Sequence, residues 1–111
     1  MNKEVKVWIY CRVLSKQAES LLRYQEELLS NFAKGNGMQI IGTTKEIAKG
    51  DGFYSYQFQQ LIWHIKQERI NAVIIYSEKR ISIYEDLYEE FEMICHKHHV
   101  DIISLRELTS I

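Results

Sequence analysis

The feature that most constrains the fold is a continuous apolar run, AVIIY, at residues 72–76. A strand without polar alternation is typical of a parallel sheet that is covered on both faces. Apolar runs at residues 5–11 and 100–105 predict two further strands, and residues 38–43 predict a short one. The chain is therefore expected to build a sheet whose central strands are buried.

Between these strands the apolar residues recur at helical spacing. The first stripe covers residues 15–34 and ends before Gly35-Asn36-Gly37, a helix stop signal; the others cover residues 58–68 and 84–95. Strands that alternate with helices predict right-handed crossovers and a mostly parallel sheet. The predicted fold class is α/β: a three-layer fold with a four- or five-stranded sheet flanked by helices. Residues 44–52 are predicted to be a polar loop.

The composition indicates one domain of ordinary globular character, spanning residues 1–111. The net charge of −1 gives no general attraction to nucleic acid, so any DNA contact needs a local patch or a partner. The N-terminus has no secretory pattern and no run approaches membrane-spanning length, so a cytoplasmic location is expected. Cys11 and Cys95 are interpreted as reduced, buried thiols.

The first candidate site lies beyond the carboxyl ends of strands one and three, where parallel sheets usually bind ligands. Arg12 and Ser15 follow the first strand, and the third is followed by Ser77, Lys79, Arg80 and Ser82. Arginine suits phosphate oxygens, and a serine hydroxyl can attack phosphorus once its proton is removed. The alternative is that Ser15 caps the first helix while Arg12 and Arg80 form salt bridges.

Three other patterns have simpler explanations. Cys95 and His99 lie one helical turn apart, as two metal ligands could, but no third or fourth ligand is spaced to complete a site. The acidic residues between positions 85 and 92 are interleaved with apolar ones and predict a solvated helix face that repels DNA. Gly50-Asp51-Gly52 lacks the lysine of a phosphate-binding loop and predicts a turn. Neither a metal nor a cofactor is expected.

Taken in order, the segments resemble the catalytic domain of serine recombinases, the resolvase and invertase family, over essentially the whole chain. The family motif Tyr-x-Arg-Val-Ser is similar to Tyr10-Cys11-Arg12-Val13-Leu14-Ser15, and Asp-Arg-Leu-Ser-Arg is similar to Lys79-Arg80-Ile81-Ser82-Ile83. The helix around Gln25 and the last strand, residues 100–105, also match. The resemblance implies a serine that attacks the DNA backbone to form a phosphoserine link, with an arginine cluster that stabilises the transition state.

The departures from the family pattern are as informative as the matches. Leu14 stands where the family serine follows Arg-Val, so Ser15 is displaced by one residue. Lys79 replaces the family aspartate and Ile83 its second arginine, and Ser55-Tyr56 stands near the position of the family's Arg-Pro. Arg12 and Arg80 alone carry over cleanly. The chain also stops before the long helix and DNA-binding module of the family.

The leading hypothesis is a degenerate resolvase-like domain associated with site-specific DNA recombination, with impaired catalysis and action through protein contacts. Its expected partners are a second copy or a full-length recombinase, with DNA contacted weakly or through that partner, and exposed aromatics such as Tyr54, Tyr56 and Trp63 could furnish an interface. The first alternative is an active strand-cleaving enzyme that uses Ser15, with Arg12 and Arg80, and borrows DNA binding. The second is a small-ligand or metal-binding α/β module.

Overall fold

The computed structural model describes residues 4–47, 55–77 and 85–106. Its strands are β1 (Lys6–Val13), β2 (Gln39–Ile47), β3 (Ala72–Ile75) and β4 (Asp101–Ser104). Its helices are α1 (Glu19–Gly35), α2 (Tyr56–Lys66) and α3 (Glu85–Lys97), and a short 3₁₀ helix, Lys16–Ala18, precedes α1. None of the described helices is long and apolar enough to cross a membrane.

The four strands form one parallel sheet in the order β2-β1-β3-β4. Each of the three connections between consecutive strands contains one helix, as the alternating sequence pattern predicts. The α/β class and the predicted parallel sheet flanked by helices are confirmed. The sheet order places β1 and β3 at the centre, so their carboxyl ends lie side by side.

Two apolar cores cover the two faces of the sheet. On one face α1 packs against the odd-numbered residues of β1. On the other face α2 and α3 pack against the even-numbered residues Trp8 and Tyr10. The alternation arises because successive strand residues project to opposite faces. The second core is rich in rings: Phe58 of α2 lies 5.6 Å from Tyr10 and 5.5 Å from Phe91 between ring centroids.

Strand β2 is longer than predicted, because residues 44–47 of the expected loop belong to the strand. Thr44 and Glu46 are polar but buried, and each has a partner on β1. Thr44 Oγ1 accepts a hydrogen bond from Trp8 Nε1 at 2.9 Å, and Glu46 Oε2 accepts one from the Tyr10 hydroxyl at 2.7 Å. Since buried polar groups need such partners, cross-strand pairing explains why these residues extend the strand.

The helix boundaries also differ from the sequence prediction in detail. Helix α1 begins at Glu19 rather than near Ser15, because the 3₁₀ turn occupies the intervening residues. It ends at Gly35, and Gly37 has a φ of 69°, which glycine adopts without strain. This confirms the predicted stop signal. The predicted turn Gly50-Asp51-Gly52 lies outside the described residues.

Candidate active site at the carboxyl end of β1

Arg12 is the last polar residue of β1 and is held inside the protein. It is 1% exposed, and its strand position places its side chain on the face covered by α2 and α3. Its backbone is fixed by Gln25 of α1, whose Oε1 accepts from Arg12 N at 3.2 Å and whose Nε2 donates to Arg12 O at 3.0 Å. Across the ladder, Arg12 pairs in register with the buried Glu46. The strand end that carries Arg12 is therefore rigidly placed.

The next two residues leave the sheet in different environments. Leu14, directly after the buried strand, is 48% exposed. Ser15 is half-buried and has an extended backbone, with φ −148° and ψ 161°. In an extended segment neighbouring side chains project to opposite sides, so Ser15 and Leu14 do not occupy equivalent positions.

Ser15 occupies the N-terminal cap position of the 3₁₀ helix, but its side chain makes no capping hydrogen bond. Its carbonyl oxygen instead accepts from Ala18 N at 3.1 Å. The expectation that the Ser15 hydroxyl caps the first helix is therefore wrong, because the backbone alone forms this turn. Ser55 shows the contrast, since its Oγ accepts from Phe58 N at 3.1 Å and caps α2.

The third catalytic candidate, Arg80, lies outside the described residues, as do Lys79, Ser82 and Ile83. Of the candidates after β3, the structure places Ser77, which is buried. Tyr10 of β1 and Ile75 of β3 are in register, so the chain segments after these strands leave the same edge of the sheet. The site expected between these two segments stays a prediction.

A cavity of about 770 Å³ lies nearby, between the first half of α1 and the end of β2. Its lining mixes both charges: Glu19, Ser20, Leu22, Arg23, Glu26, Lys45 and Ile47. Lys45 Nζ lies 3.2 Å from Glu26 Oε1, so one of its two cations is already paired. Neither Arg12 nor Ser15 lines this cavity, and the arrangement gives no concentrated anion site for a phosphodiester.

Sequence reasoning missed Gln25 and Glu46 as organisers of this strand end. Gln25 had been noted only as part of a helix that matches the family, and Glu46 had been assigned to a loop. The signal for Gln25 was its helical spacing from Leu22 and Leu29, which places an amide on a buried face. For Glu46 the sequence offers no local signal, because residues 43–46 are all polar.

The two cysteines lack the chemistry of reactive or metal-binding thiols. Burial, with a smaller contribution from Glu26, raises the pKa of Cys11 to about 12 although Lys45 opposes the shift. Burial, assisted by Glu92, raises the pKa of Cys95 to about 12 as well. Metal ligation needs the thiolate, and the described residues contain no group of three or more metal-ligand side chains.

The parallel sheet, its order and the Tyr-x-Arg strand end define a resolvase-like α/β domain of the serine recombinase class. The family model for the resolvase N-terminal domain matches residues 7–110, so the chain belongs to that family. The resemblance inferred from the motifs is confirmed. Comparison with curated proteins gives no match.

Solved structures of serine recombinases are similar to this fold. The catalytic domain of ISC1926 TnpA, an IS607-like serine recombinase, has a TM-score of 0.85 at 23% identity, covering 91% of this chain and 70% of that one. The catalytic domain of TP901-1 integrase has a TM-score of 0.79 at 28% identity, covering 92% and 78%. A resolvase family site-specific recombinase from Streptococcus pneumoniae has a TM-score of 0.80 at 24% identity, covering 94% and 74%.

Proposed function

We propose that this resolvase-like domain serves site-specific DNA recombination with impaired strand cleavage, acting through protein–protein contacts. The observation that carries the proposal is Leu14, an exposed leucine at the position where the family motif has its serine. Leucine has no nucleophilic atom, so no phosphoserine link can form at that position. Strand β1, which precedes Leu14, is still fully packed. Strand cleavage can therefore be lost without loss of the fold.

The burial of Arg12 supports the same proposal. An arginine that stabilises a phosphoryl transition state must place its guanidinium against the phosphate oxygens. At 1% exposure, Arg12 reaches a DNA backbone only if the residues around it move.

The replaced arginines make the expected loss large. Removing one preorganised transition-state donor typically lowers a rate by about a hundred- to a thousandfold. Ile83 and Ser55-Tyr56 stand at two positions where the family carries arginine. Two such losses together with a displaced serine are enough to reduce strand cleavage to a background level.

The test is nicking of supercoiled plasmid DNA that carries the genomic sequence around the gene. We expect the wild-type chain and its Ser15→Ala variant to nick at the same background rate. A nicking rate in the wild type that is at least about a hundredfold above Ser15→Ala overturns the proposal, because that ratio matches the loss of a catalytic group. A full-length active serine recombinase on its own site is the positive control.

One observation favours the alternative of an active enzyme that uses Ser15. The hydroxyl is not engaged in capping, although serine at this position commonly caps. In that case the Ser15 Oγ attacks the phosphodiester while Arg12 and Arg80 stabilise the charge on the phosphate. The Oγ–P bond forms, one P–O bond of the DNA backbone breaks, and the released oxygen leaves as a hydroxyl that takes up the serine proton. The variant Arg12→Lys discriminates, because an active enzyme loses its nicking rate while an impaired one has no specific rate to lose.

Action through protein contacts requires surfaces outside the impaired site. Tyr56 and Trp63 are exposed on α2, as the interface hypothesis requires, while Tyr54 lies outside the described residues. The proposed partners are a second copy or a full-length recombinase, which then supplies DNA contact. The proposed location is cytoplasmic, consistent with Cys11 and Cys95 as free, buried thiols.

A further inference from the structure

The outward side of α2 carries an aromatic and amide stripe. Tyr56, Gln60, Trp63 and Gln67 are exposed and recur at i, i+4, i+7 and i+11, so they lie along one line opposite the buried face. Trp63 is 48% exposed, and the Arg69 guanidinium carbon lies 5.1 Å from its ring centroid. Tryptophan, tyrosine and arginine are the residues that dominate the binding energy of protein interfaces.

The stripe itself contains no acidic residue, and Glu68 beside it has its Oε2 3.6 Å from His98 Nδ1. Helix α2 contains no acidic residue, whereas Lys66 lies on its exposed surface and Arg69 is held over Trp63. Arg69 is therefore presented at the height of Trp63 rather than beyond the end of the helix. A partner that fits this surface carries negative charge beside an apolar side chain.

The outward side of α3 has that chemistry. Asp86, Glu89 and Met93 are exposed and recur at i, i+3 and i+7, and Glu90 and Glu92 are exposed beside them. Met93 is 72% exposed, which leaves an apolar side chain within an acidic surface. Methionine sulfur makes favourable contacts with aromatic rings, so Met93 complements Trp63 as the acids complement Arg69.

The positions of the two helices allow both contacts at once. Helices α2 and α3 lie on the same face of the sheet, and each leads into the amino end of the next parallel strand, so they run in the same direction. Trp63 lies three residues before the end of α2, and Met93 lies four before the end of α3. A two-fold axis along the helices places each α2 against the α3 of the other molecule.

We propose that this face binds a second copy of the chain, with α2 of each molecule against α3 of the other. The inference rests on the proposed function, in which the domain acts through protein contacts, and it names the partner and the surface. Trp63 packs against Met93 of the second copy, and Arg69 pairs with Glu89. The interface covers the face of the sheet opposite to α1.

Sedimentation velocity across a concentration series of the purified chain tests the proposal. We expect a monomer–dimer equilibrium that Trp63→Ala weakens at least tenfold. Arg69→Glu and Glu89→Arg are each expected to weaken it, and their combination to recover most of the wild-type affinity, because the swapped charges attract again. The matched control is Tyr24→Ala, which removes an aromatic ring of 58% exposure from α1 on the other face. Thermal melts check that each variant is folded.

A strict monomer overturns the inference, and so does a dimer that Tyr24→Ala weakens while Trp63→Ala leaves it unchanged. In the latter case the domain still associates through protein contacts, so the proposed function stands while the assigned surface fails. A charge swap that does not restore affinity also contradicts the pairing of Arg69 with Glu89. Plasmid nicking reports on the chemistry separately from all of these outcomes.

Discussion

Strand β1 and the five residues after it share one stretch of chain but have opposite environments. From Val7 to Val13 every residue is buried, and the strand pairs with β2 and β3 on its two sides. From Leu14 to Ala18 the chain is exposed or half-buried and forms only a single 3₁₀ turn. The family motif is therefore retained through the buried strand up to Val13, and its first departure, Leu14, is the first exposed residue after that strand. Burial constrains a strand strongly, whereas an exposed edge accepts substitution without unfolding.

The largest expected effect lies in the core behind β1. Phe58→Ala removes a fully buried ring that contacts Tyr10 and Phe91, and it is expected to lower the free energy of unfolding by about 3–5 kcal/mol. Urea titration followed by circular dichroism measures this change. A loss below about 1 kcal/mol contradicts the view that the ring cluster supports β1.

A smaller loss is expected where α1 holds the strand end. Gln25→Leu keeps the side-chain volume but removes both hydrogen bonds to the Arg12 backbone, leaving a buried N–H and C=O without that partner. The free energy of unfolding is expected to fall by about 2–4 kcal/mol, since each such group costs about 1–3 kcal/mol. Urea titration with Gln60→Leu as the exposed control distinguishes this effect from a general loss of glutamine.

Alkaline pH reports on the buried thiols. Cys11 and Cys95 have folded pKa values of about 12 against an ordinary value of 9.0, so the unfolded chain releases their protons first. Their contribution is intact below pH 9 and is lost as the pH rises toward 12. At pH 10 the loss is expected to be about 1 kcal/mol for each thiol. The variant Cys95→Ala is expected to show a shallower decline, and an equal decline contradicts the assignment.

The smallest effect is expected at Leu14 itself. Leu14→Ala shortens a half-exposed side chain and is expected to change the free energy of unfolding by less than about 0.5 kcal/mol. Urea titration measures it beside Val13→Ala, one residue earlier and 2% exposed, where a loss of several times that size is expected. Equal losses of unfolding free energy at Leu14 and Val13 contradict the contrast between the buried strand and the exposed residues after it.

The sequence predicted the elements whose apolar residues form a continuous run or recur at a regular spacing. Residues 72–76 indicated a buried central strand, and the helical stripes located α1, α2 and α3 to within a few residues. The end of β2 was not predictable from polarity, because Thr44 and Glu46 are buried by partners on β1 that are more than thirty positions away. The residues next to Thr44 and Glu46 in the sequence do not show which side chain on another strand will hydrogen-bond to them.

The site was predicted in its location and only partly in its detail. The motif placed Arg12 and the displaced serine at the carboxyl end of β1, as the structure has them. The burial of Arg12 depends on what packs over its face of the sheet, and the missing cap at Ser15 depends on the 3₁₀ turn; no motif specifies either. The catalytic roles of Ser15, Arg12 and Arg80 stay predictions.

The most direct measurement of the central claim is the mass of the Ser15-containing peptide after incubation with supercoiled genomic DNA. The reaction is stopped with denaturant, the DNA is digested with nuclease, and the tryptic peptide is analysed by mass spectrometry. If the domain has kept its fold and lost its chemistry, the peptide is unmodified under conditions in which an active serine recombinase yields its adduct. A nucleotide joined to Ser15 through a phosphoserine link contradicts the account.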